Sequence, residues 1–234
     1  DGTRSDEFGS LARAFNGMAE KLHEGKILTR YVSKFVLQAL SDERYLAIAR
    51  QGELAEVTVL FSSLIGFDQF EELATPDEIF RLLERHLESA NRAVEESGGV
   101  IDKVMGEKIL IIFPHRQFAS PADAARAALT VVRRIQTLMR ESSALPLAMG
   151  LNTGMAIVGI LGAENIQRKD FTAIGDTVNL AARLSTLAQR SGKSQVILSG
   201  RVLELLGSLI RTEKLPLKSV KGKTQEVEAH LLLE

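Results

Sequence analysis

Apolar residues recur along this chain at two spacings, one typical of helices and one typical of strands. Apolar positions follow at helical intervals between the capping sequence Thr75-Pro76-Asp77-Glu78 and the pair Gly98-Gly99, which predicts one long helix. A second helix is predicted to begin at Ser120-Pro121, and a third is predicted from Asp176-Thr177 through Ala188.

Short runs that are rich in β-branched and aromatic residues predict strands. The predicted strands cover residues 57–61, 108–113, 147–152, 155–160, 171–174, 195–198 and 227–233. Thr153-Gly154 is predicted to form the turn of a hairpin between two of them. This order of elements favours an α+β fold with a ferredoxin-like βαββαβ core, in which a mixed sheet has helices packed on one face.

The first 29 residues carry a narrow apolar stripe. Its members alternate at intervals of three and four, as in the seam of a coiled coil: Phe8, Leu11, Phe15, Met18 and Leu22. A surface helix that packs on its own domain is the alternative interpretation. Residues 30–53 are predicted to form a connector, and residues 54–234 are predicted to form the main domain.

The composition indicates an ordinary globular protein. The 234 residues are 45% hydrophobic and 25% charged, with a formal net charge of -1, so a nucleic-acid partner is not expected. Because the chain has no cysteine, disulfides, thiolate metal sites and cysteine nucleophiles are excluded. No apolar run is long enough to span a bilayer, and the chain opens without Met, so we expect a fragment of a longer protein.

Residues 57–68, VTVLFSSLIGFD, combine a buried strand with a tight loop. Gly66 allows a backbone turn that other residues resist. Loops that follow strands often bind phosphates and metal ions. We therefore predict that the backbone N–H groups of Leu64, Ile65, Gly66 and Phe67 bind phosphate.

Further polar residues are candidates for a site, although each has a simpler interpretation. Glu107 follows a glycine in an apparent hairpin, where it could be a solvated turn residue. Asn179 and Arg183 lie four residues apart on one face of a predicted helix, which also suits a solvent-facing pair. Lys103 could be an ordinary exposed lysine, and Thr172 could be an ordinary strand residue. Spacing alone leaves these alternatives open.

Three segments together resemble the catalytic domain of class III adenylyl and guanylyl cyclases. They are residues 57–68, 98–113 and 171–184, and the last contains the specific motif IGDTVNLAARL. The resemblance covers residues 30–234 and implies conversion of ATP to 3′,5′-cyclic AMP and pyrophosphate. The run DEFGSLARAFNGMAEKL near the start resembles the second helix of a HAMP signalling module, which implies a cytoplasmic domain of a membrane-anchored receptor.

The resemblance gives each candidate a role. It implies that Asn179 orients the ribose and that Arg183 stabilises charge on the α-phosphate. Lys103 and Thr172 match the base-reading residues of the Lys/Thr adenylyl subclass, whereas the guanylyl pattern would have Glu at position 103. The turn formed by Lys221, Gly222 and Lys223 resembles the family's closing turn, in which a lysine meets the terminal phosphates.

Cyclases of this class use two divalent ions, Mg²⁺ or Mn²⁺, which two carboxylates normally hold. The resemblance places these ligands at Ser63 and Glu107. Glu107 keeps the negative charge, whereas the neutral hydroxyl of Ser63 is a weak ligand, so we expect weakened metal binding and activity. Asp68 is interpreted as a helix-start residue rather than as a replacement ligand.

The family's active sites lie at the interface of a head-to-tail homodimer. One subunit supplies the metal residues, and the other supplies the Lys/Thr and Asn/Arg residues. We therefore expect a homodimer that binds ATP and is linked to a membrane only through an absent N-terminal region. The alternative is a catalytically inactive pseudo-cyclase that acts as a dimerising, nucleotide-binding signalling module. A diguanylate cyclase is excluded because the chain has no Gly-Gly-Asp/Glu-Glu-Phe run.

Overall fold

The computed structural model describes residues 52–141, 145–161, 170–216 and 228–233. The predicted helix at 1–29 and almost all of the predicted connector lie outside these residues, as do Lys221 and Lys223. The coiled coil, the HAMP-like helix and the domain boundary at residue 54 therefore stay predictions.

Eight strands and five α-helices make up the described part of the chain. The strands are β1 (Glu53–Leu64), β2 (Val100–Met105), β3 (Lys108–Pro114), β4 (Leu147–Leu161), β5 (Asp170–Ile174), β6 (Gln195–Ser199), β7 (Arg211–Lys214) and β8 (Ala229–Leu233). The helices are α1 (Phe67–Leu73), α2 (Pro76–Val94), α3 (Pro121–Glu141), α4 (Asp176–Gln189) and α5 (Gly200–Leu206). None of these helices has the length and apolar character needed to cross a membrane.

Helix α2 begins where its capping sequence predicted. The hydroxyl of Thr75 accepts a hydrogen bond from the backbone N–H of Glu78 at 3.4 Å. In return, the Glu78 carboxylate accepts from the backbone N–H of Thr75 at 2.8 Å. Pro76 occupies the first turn, where a backbone N–H has no partner within the helix. The reciprocal bonds satisfy donors that the helix start would otherwise leave unpaired.

The strands form one mixed sheet in the order β2-β3-β1-β4-β6-β8-β7, with β5 paired to β4. Strand β1 runs antiparallel to β3 and to β4, whereas β4 and β6 are parallel. The four strands β2-β3-β1-β4, with helices connecting β1 to β2 and β3 to β4, have the arrangement of a ferredoxin-like βαββαβ unit. The prediction of an α+β fold with a mixed sheet is confirmed.

Strand β4 is continuous, so the predicted hairpin at Thr153-Gly154 is wrong. Thr153 pairs with Thr58 and Gly154 pairs with Val57, because β1 runs alongside β4 through this region. Gly154 has a different function, since a Cβ atom at this position would lie 2.8 Å from Thr177 Oγ1. The glycine therefore marks a close approach of helix α4 to the strand rather than a turn.

Helices cover both faces of the sheet, which corrects the expectation that they pack on one face. Helices α2 and α3 enclose one core together with strand residues that include Leu60, Leu64, Ile109, Ile111, Met149 and Leu151. On the opposite face, Leu184 and Ala188 of α4 pack with Ala148 and Ile197. Neighbouring residues of β4 are therefore both buried, and the strand lacks the polar–apolar alternation of a one-sided sheet.

Candidate active site

Lys103 of β2 and Thr172 of β5 contact each other although 69 residues separate them in the chain. Lys103 Nζ donates a hydrogen bond to Thr172 Oγ1. Asp102 completes the group, because its Oδ2 lies 3.0 Å from Lys103 Nζ and 3.2 Å from Thr172 Oγ1. The lysine side chain is 42% exposed, whereas that of Asp102 is fully buried. We call these three residues the Asp102–Lys103–Thr172 cluster.

A β-bulge in β2 brings Asp102 and Lys103 to the same neighbour. Ile101 pairs with Ile111, and Lys103 pairs with the next residue of β3, Leu110, so Asp102 is the extra residue of the bulge. In a regular strand, two consecutive side chains point to opposite faces. The bulge removes this alternation locally, and both side chains reach the hydroxyl of Thr172.

Asn179 and Arg183 lie about one turn apart on the same face of α4. The helix follows Gly175, whose φ of 140° is a conformation that other residues rarely adopt. This glycine lets β5, which carries Thr172, lead directly into α4. Asn179 is exposed and Arg183 is half-buried, and neither side chain forms a hydrogen bond within the described part of the chain. Both polar groups are therefore available to a ligand.

Helix α4 lies unusually close to β4. A Cβ atom on Gly150 would lie 2.2 Å from the carbonyl oxygen of Ala181 and 2.3 Å from the backbone nitrogen of Ser185, so only glycine fits. Ser185 Oγ also donates a hydrogen bond to the carbonyl of Ala148 at 3.1 Å. These contacts fix the position of the helix that carries the predicted transition-state residues.

Ser63 lies near the end of β1 with its side chain buried, at 1% exposure. Its Oγ accepts a hydrogen bond of 2.8 Å from Nε2 of Gln189, the last residue of α4. A serine hydroxyl carries no charge, and this contact already uses one of its two lone pairs. Ser63 therefore ties the end of α4 to the sheet instead of presenting an anionic ligand.

Glu107 lies in the turn between β2 and β3, beside Ser63, because Ser63 pairs with Lys108. Its carboxylate is 17% exposed and lies 3.1 Å from Lys108 Nζ. His86 of α2 is hydrogen-bonded to the backbone of Glu107, and its Nε2 lies 2.8 Å from Ser62 Oγ. Burial lowers the pKa of His86 to about 4, so the ring is neutral at pH 7.

One of the four predicted phosphate-binding N–H groups is already engaged. The N–H of Ile65 donates to the carbonyl of Pro146 at 2.8 Å. Leu64 is the last residue of β1, and its side chain is part of the core. Gly66 has a left-handed backbone with φ of 78°, and Phe67 follows as the first residue of α1. The amides of Gly66 and Phe67 therefore remain the better candidates, because the first N–H groups of a helix lack partners within it.

The family model described as the adenylate and guanylate cyclase catalytic domain matches residues 49–234. The chain belongs to this family. A terminal-differentiation specific adenylate cyclase of Dictyostelium discoideum is 31% identical over 76% of this chain and 9% of that protein. An adenylate cyclase of Anabaena cylindrica is 27% identical over 96% of this chain and 47% of that protein. The chain thus spans less than half the length of these curated relatives.

Solved cyclase structures share the fold. The adenylyl cyclase CyaB from P. aeruginosa is 26% identical with a TM-score of 0.70, over 78% of this chain and 96% of that chain. The guanylyl cyclase Cya2 is 25% identical with a TM-score of 0.63, over 77% of this chain and 93% of that chain. Because both substrate classes are represented, the choice between ATP and GTP has to be argued from individual side chains of the cyclase domain.

The described part of the cyclase domain offers few acidic ligands for two divalent ions. Among the residues that the structure describes, no group of three or more His, Cys, Asp or Glu is arranged to hold a metal ion. Asp68 is exposed in the first turn of α1, as predicted for a helix-start residue. Mg²⁺ commonly takes one or two carboxylates together with substrate phosphates. Glu107 therefore fits one ion shared with a nucleotide, and Ser63 does not fit a second.

Sequence reasoning missed four residues that support the candidate site of the cyclase domain: His86, Asp102, Asn152 and Gln189. Asn152 Nδ2 donates to the carbonyl of Thr177 at 2.9 Å and so holds the first turn of α4. Two of them left a signal, because a charge interrupts a strand at Asp102 and a histidine follows Leu82 by four residues on the buried face of α2. The contact of Gln189 with Ser63 spans 126 residues, and no local pattern indicates it.

Proposed function

We propose that this cyclase domain is an adenylyl cyclase that converts ATP to 3′,5′-cyclic AMP and pyrophosphate. The observation that carries the proposal is the contact between Lys103 and Thr172. A lysine donor next to a hydroxyl suits adenine, whose edge presents the N1 acceptor beside the N6 amino donor. Guanine presents the opposite pattern, with the O6 acceptor in place of the amino group.

Asn179 and Arg183 supply the groups that the reaction needs around the ribose and the α-phosphate. The 3′-oxygen forms a bond to the α-phosphorus, the bond from that phosphorus to the bridging oxygen of the β-phosphate breaks, pyrophosphate leaves, and the proton of the 3′-hydroxyl passes to solvent. Asn179 hydrogen-bonds the ribose and orients this oxygen. Arg183 places its planar guanidinium against the charge that develops on the phosphate oxygens.

Glu107 would hold Mg²⁺ or Mn²⁺ jointly with the nucleotide phosphates, and such an ion supplies charge neutralisation at the triphosphate. The backbone amides of Gly66 and Phe67 bind the same phosphates, and the resemblance assigns Lys221 and Lys223, which lie outside the described residues, to the terminal ones. Ser63 lacks the charge of the usual ligand, so we propose that the activity of this domain is weaker than that of a cyclase with two carboxylates.

We propose further that the active form is a homodimer with its sites at the interface. Ser63 pairs with Ala148 near the start of β4, and Thr172 pairs with Gly159 near its end. The pairing partners of Ser63 and Thr172 thus lie at opposite ends of β4, whereas Lys103, which contacts Thr172, pairs with β3 only two residues beyond Lys108, the partner of Ser63. What supports the proposal is the arrangement of the family, in which a head-to-tail homodimer takes the metal residues from one subunit and the Lys/Thr and Asn/Arg residues from the other, so that a two-fold axis creates two sites.

A pseudo-cyclase remains the second candidate function. The observation that favours it is the buried contact of Ser63 with Gln189, which fills the position of a metal ligand with a neutral hydrogen bond. In that case the domain would bind nucleotide, dimerise and transmit a signal without turnover. For either function, we propose a cytoplasmic location in a membrane-anchored receptor, supported by the HAMP-like segment of the sequence.

The test is the formation of cyclic AMP from ATP, and of cyclic GMP from GTP, with Mg²⁺ and with Mn²⁺. It is carried out on the parent chain, on Ser63→Asp and on the control Ser208→Asp, which adds the same charge at an exposed position of the 3₁₀ turn Gly207–Leu209. We expect weak cyclic AMP formation by the parent and by the control, and a rise of at least about tenfold in Ser63→Asp.

Each other outcome has a definite meaning. Equal activity of the parent and Ser63→Asp would show that position 63 does not limit metal binding. If neither chain forms a cyclic nucleotide while ATP still binds, the pseudo-cyclase function is established. Cyclic GMP as the main product would contradict the assignment of Lys103 and Thr172.

A further inference from the structure

Asp102 contacts both predicted base-reading residues, Lys103 and Thr172. Its carboxylate side chain is fully buried, and one oxygen, Oδ2, contacts both Lys103 Nζ at 3.0 Å and Thr172 Oγ1 at 3.2 Å. A carboxylate accepts hydrogen bonds and donates none. Asp102 therefore determines which way the protons of its two neighbours point.

The hydroxyl of Thr172 has a single proton and two acceptors within reach. Asp102 Oδ2 lies at 3.2 Å, and the carbonyl of Ala173 lies at 3.4 Å. The carboxylate is nearer and charged, so it takes the proton. Lys103 Nζ can only donate, so its contact with Thr172 Oγ1 occupies one lone pair of that oxygen. No other donor to this oxygen is found among the described residues, so its second lone pair can accept from a ligand that reaches the exposed 4% of Thr172.

We infer that Asp102 is a positioning residue that sets the nucleotide preference of this domain. By taking the proton of Thr172, it makes the hydroxyl an acceptor for the amino group of adenine. Without Asp102, the hydroxyl can rotate and donate to the O6 oxygen of guanine, so discrimination between the two bases falls. This inference rests on the proposed function only in that the Asp102–Lys103–Thr172 cluster is the base-reading part of a nucleotide site.

The test measures equilibrium dissociation constants of non-cyclisable ATP and GTP analogues by competition with a fluorescent nucleotide, so it does not depend on turnover. We expect Asp102→Ala to lower the preference for the ATP analogue by about tenfold, through the loss of one oriented hydrogen bond. Asp102→Asn keeps an acceptor oxygen in the same place and should retain part of the preference. Asp77→Ala removes an exposed carboxylate from the first turn of α2 and should leave the ratio unchanged.

A double-mutant cycle separates orientation from a general structural effect. Thr172→Val removes the hydroxyl and keeps the shape of the side chain. If Asp102 acts through Thr172, Asp102→Ala changes the ratio of the dissociation constants for the GTP and ATP analogues in the parent. It does not change this ratio in the Thr172→Val background. An unchanged ratio in Asp102→Ala, or an equal change in both backgrounds, would overturn the inference. Should Asp102→Ala fail to fold, the same comparison is made with Asp102→Asn.

The failure of this inference is distinguishable from failure of the proposed function. A parent that makes cyclic AMP while Asp102→Ala keeps the full ATP preference overturns the inference alone. A parent that binds neither analogue overturns both. A parent that binds the ATP analogue without turnover, with the ratio shifted in Asp102→Ala, supports the inference in a pseudo-cyclase.

Discussion

His86 is a buried imidazole that joins the two segments on which the predicted metal positions lie. It contacts Ser62, the neighbour of Ser63 on β1, and the backbone of Glu107 in the turn between β2 and β3. Burial is the main cause that lowers its pKa to about 4 from the ordinary 6.5. A neutral ring can accept from Ser62 at one nitrogen and donate to a carbonyl with the other, so both contacts form without burying a charge.

We expect the free energy of unfolding to fall as the pH drops from about 6.5 to about 4. In this window the unfolded chain takes up a proton at His86, whereas the folded chain does not. The contribution of His86 is therefore fully present above the ordinary pKa and is lost as the pH falls toward the folded value. The shift corresponds to about 3 kcal/mol. The measurement is urea denaturation between pH 7 and pH 4 in the presence of EDTA.

The control for this prediction is His86→Gln, whose amide can make both hydrogen bonds but does not titrate. The difference in unfolding free energy between parent and variant isolates His86 from other groups, such as His115, whose pKa burial also lowers. A difference that stays constant with pH would contradict the assignment of a buried neutral ring.

At the scale of elements, the close packing of α4 on β4 determines where Asn179 and Arg183 lie. We expect Gly150→Ala to lift this helix, because the new methyl group would lie 2.2 Å and 2.3 Å from its backbone atoms. The cost in unfolding free energy should be about 1–3 kcal/mol. Cyclase activity should fall by at least about 100-fold, because small displacements of catalytic groups have large effects.

Gly200→Ala is the matched control for this change. A Cβ atom on Gly200 would meet no backbone atom, and its nearest neighbours would be Oε2 and Cβ of the exposed Glu228, at 3.1 Å and 3.2 Å, which a shift of a few tenths of an ångström accommodates. Thermal melts and cyclic AMP assays of the two variants give the comparison. Full activity and an unchanged melting temperature in Gly150→Ala would show that the close approach of α4 is not required.

The sequence predicted those elements whose signals are local. The start of α2 follows from a four-residue capping sequence, and the common face of Asn179 and Arg183 follows from helical spacing. The continuity of β4 could not be predicted in this way, because Gly154 resembles a turn glycine until Thr177 is known to lie against it. The bulge at Asp102 and the contact of Gln189 with Ser63 also depend on partners that are distant in the chain.

At the scale of the whole molecule, the proposed head-to-tail homodimer leads to a test of site assembly. Lys103→Ala removes a predicted base-reading group, and Glu107→Ala removes the predicted metal ligand. In a head-to-tail dimer of the two variants, one site combines both defects and the other combines none. The heterodimer should therefore have about half the activity of a dimer without either substitution.

The experiment uses two affinity tags to purify the heterodimer from co-expressed chains, in whichever of the parent and Ser63→Asp backgrounds is more active. A chain that carries both substitutions, paired with either single variant, is the control, because no arrangement of that pair leaves an intact site. Activity of the first heterodimer together with silence of the control requires that one chain supplies Glu107 and the other supplies Lys103. If the heterodimer is no more active than the two variant homodimers, each site lies within one chain, and the head-to-tail assembly is wrong.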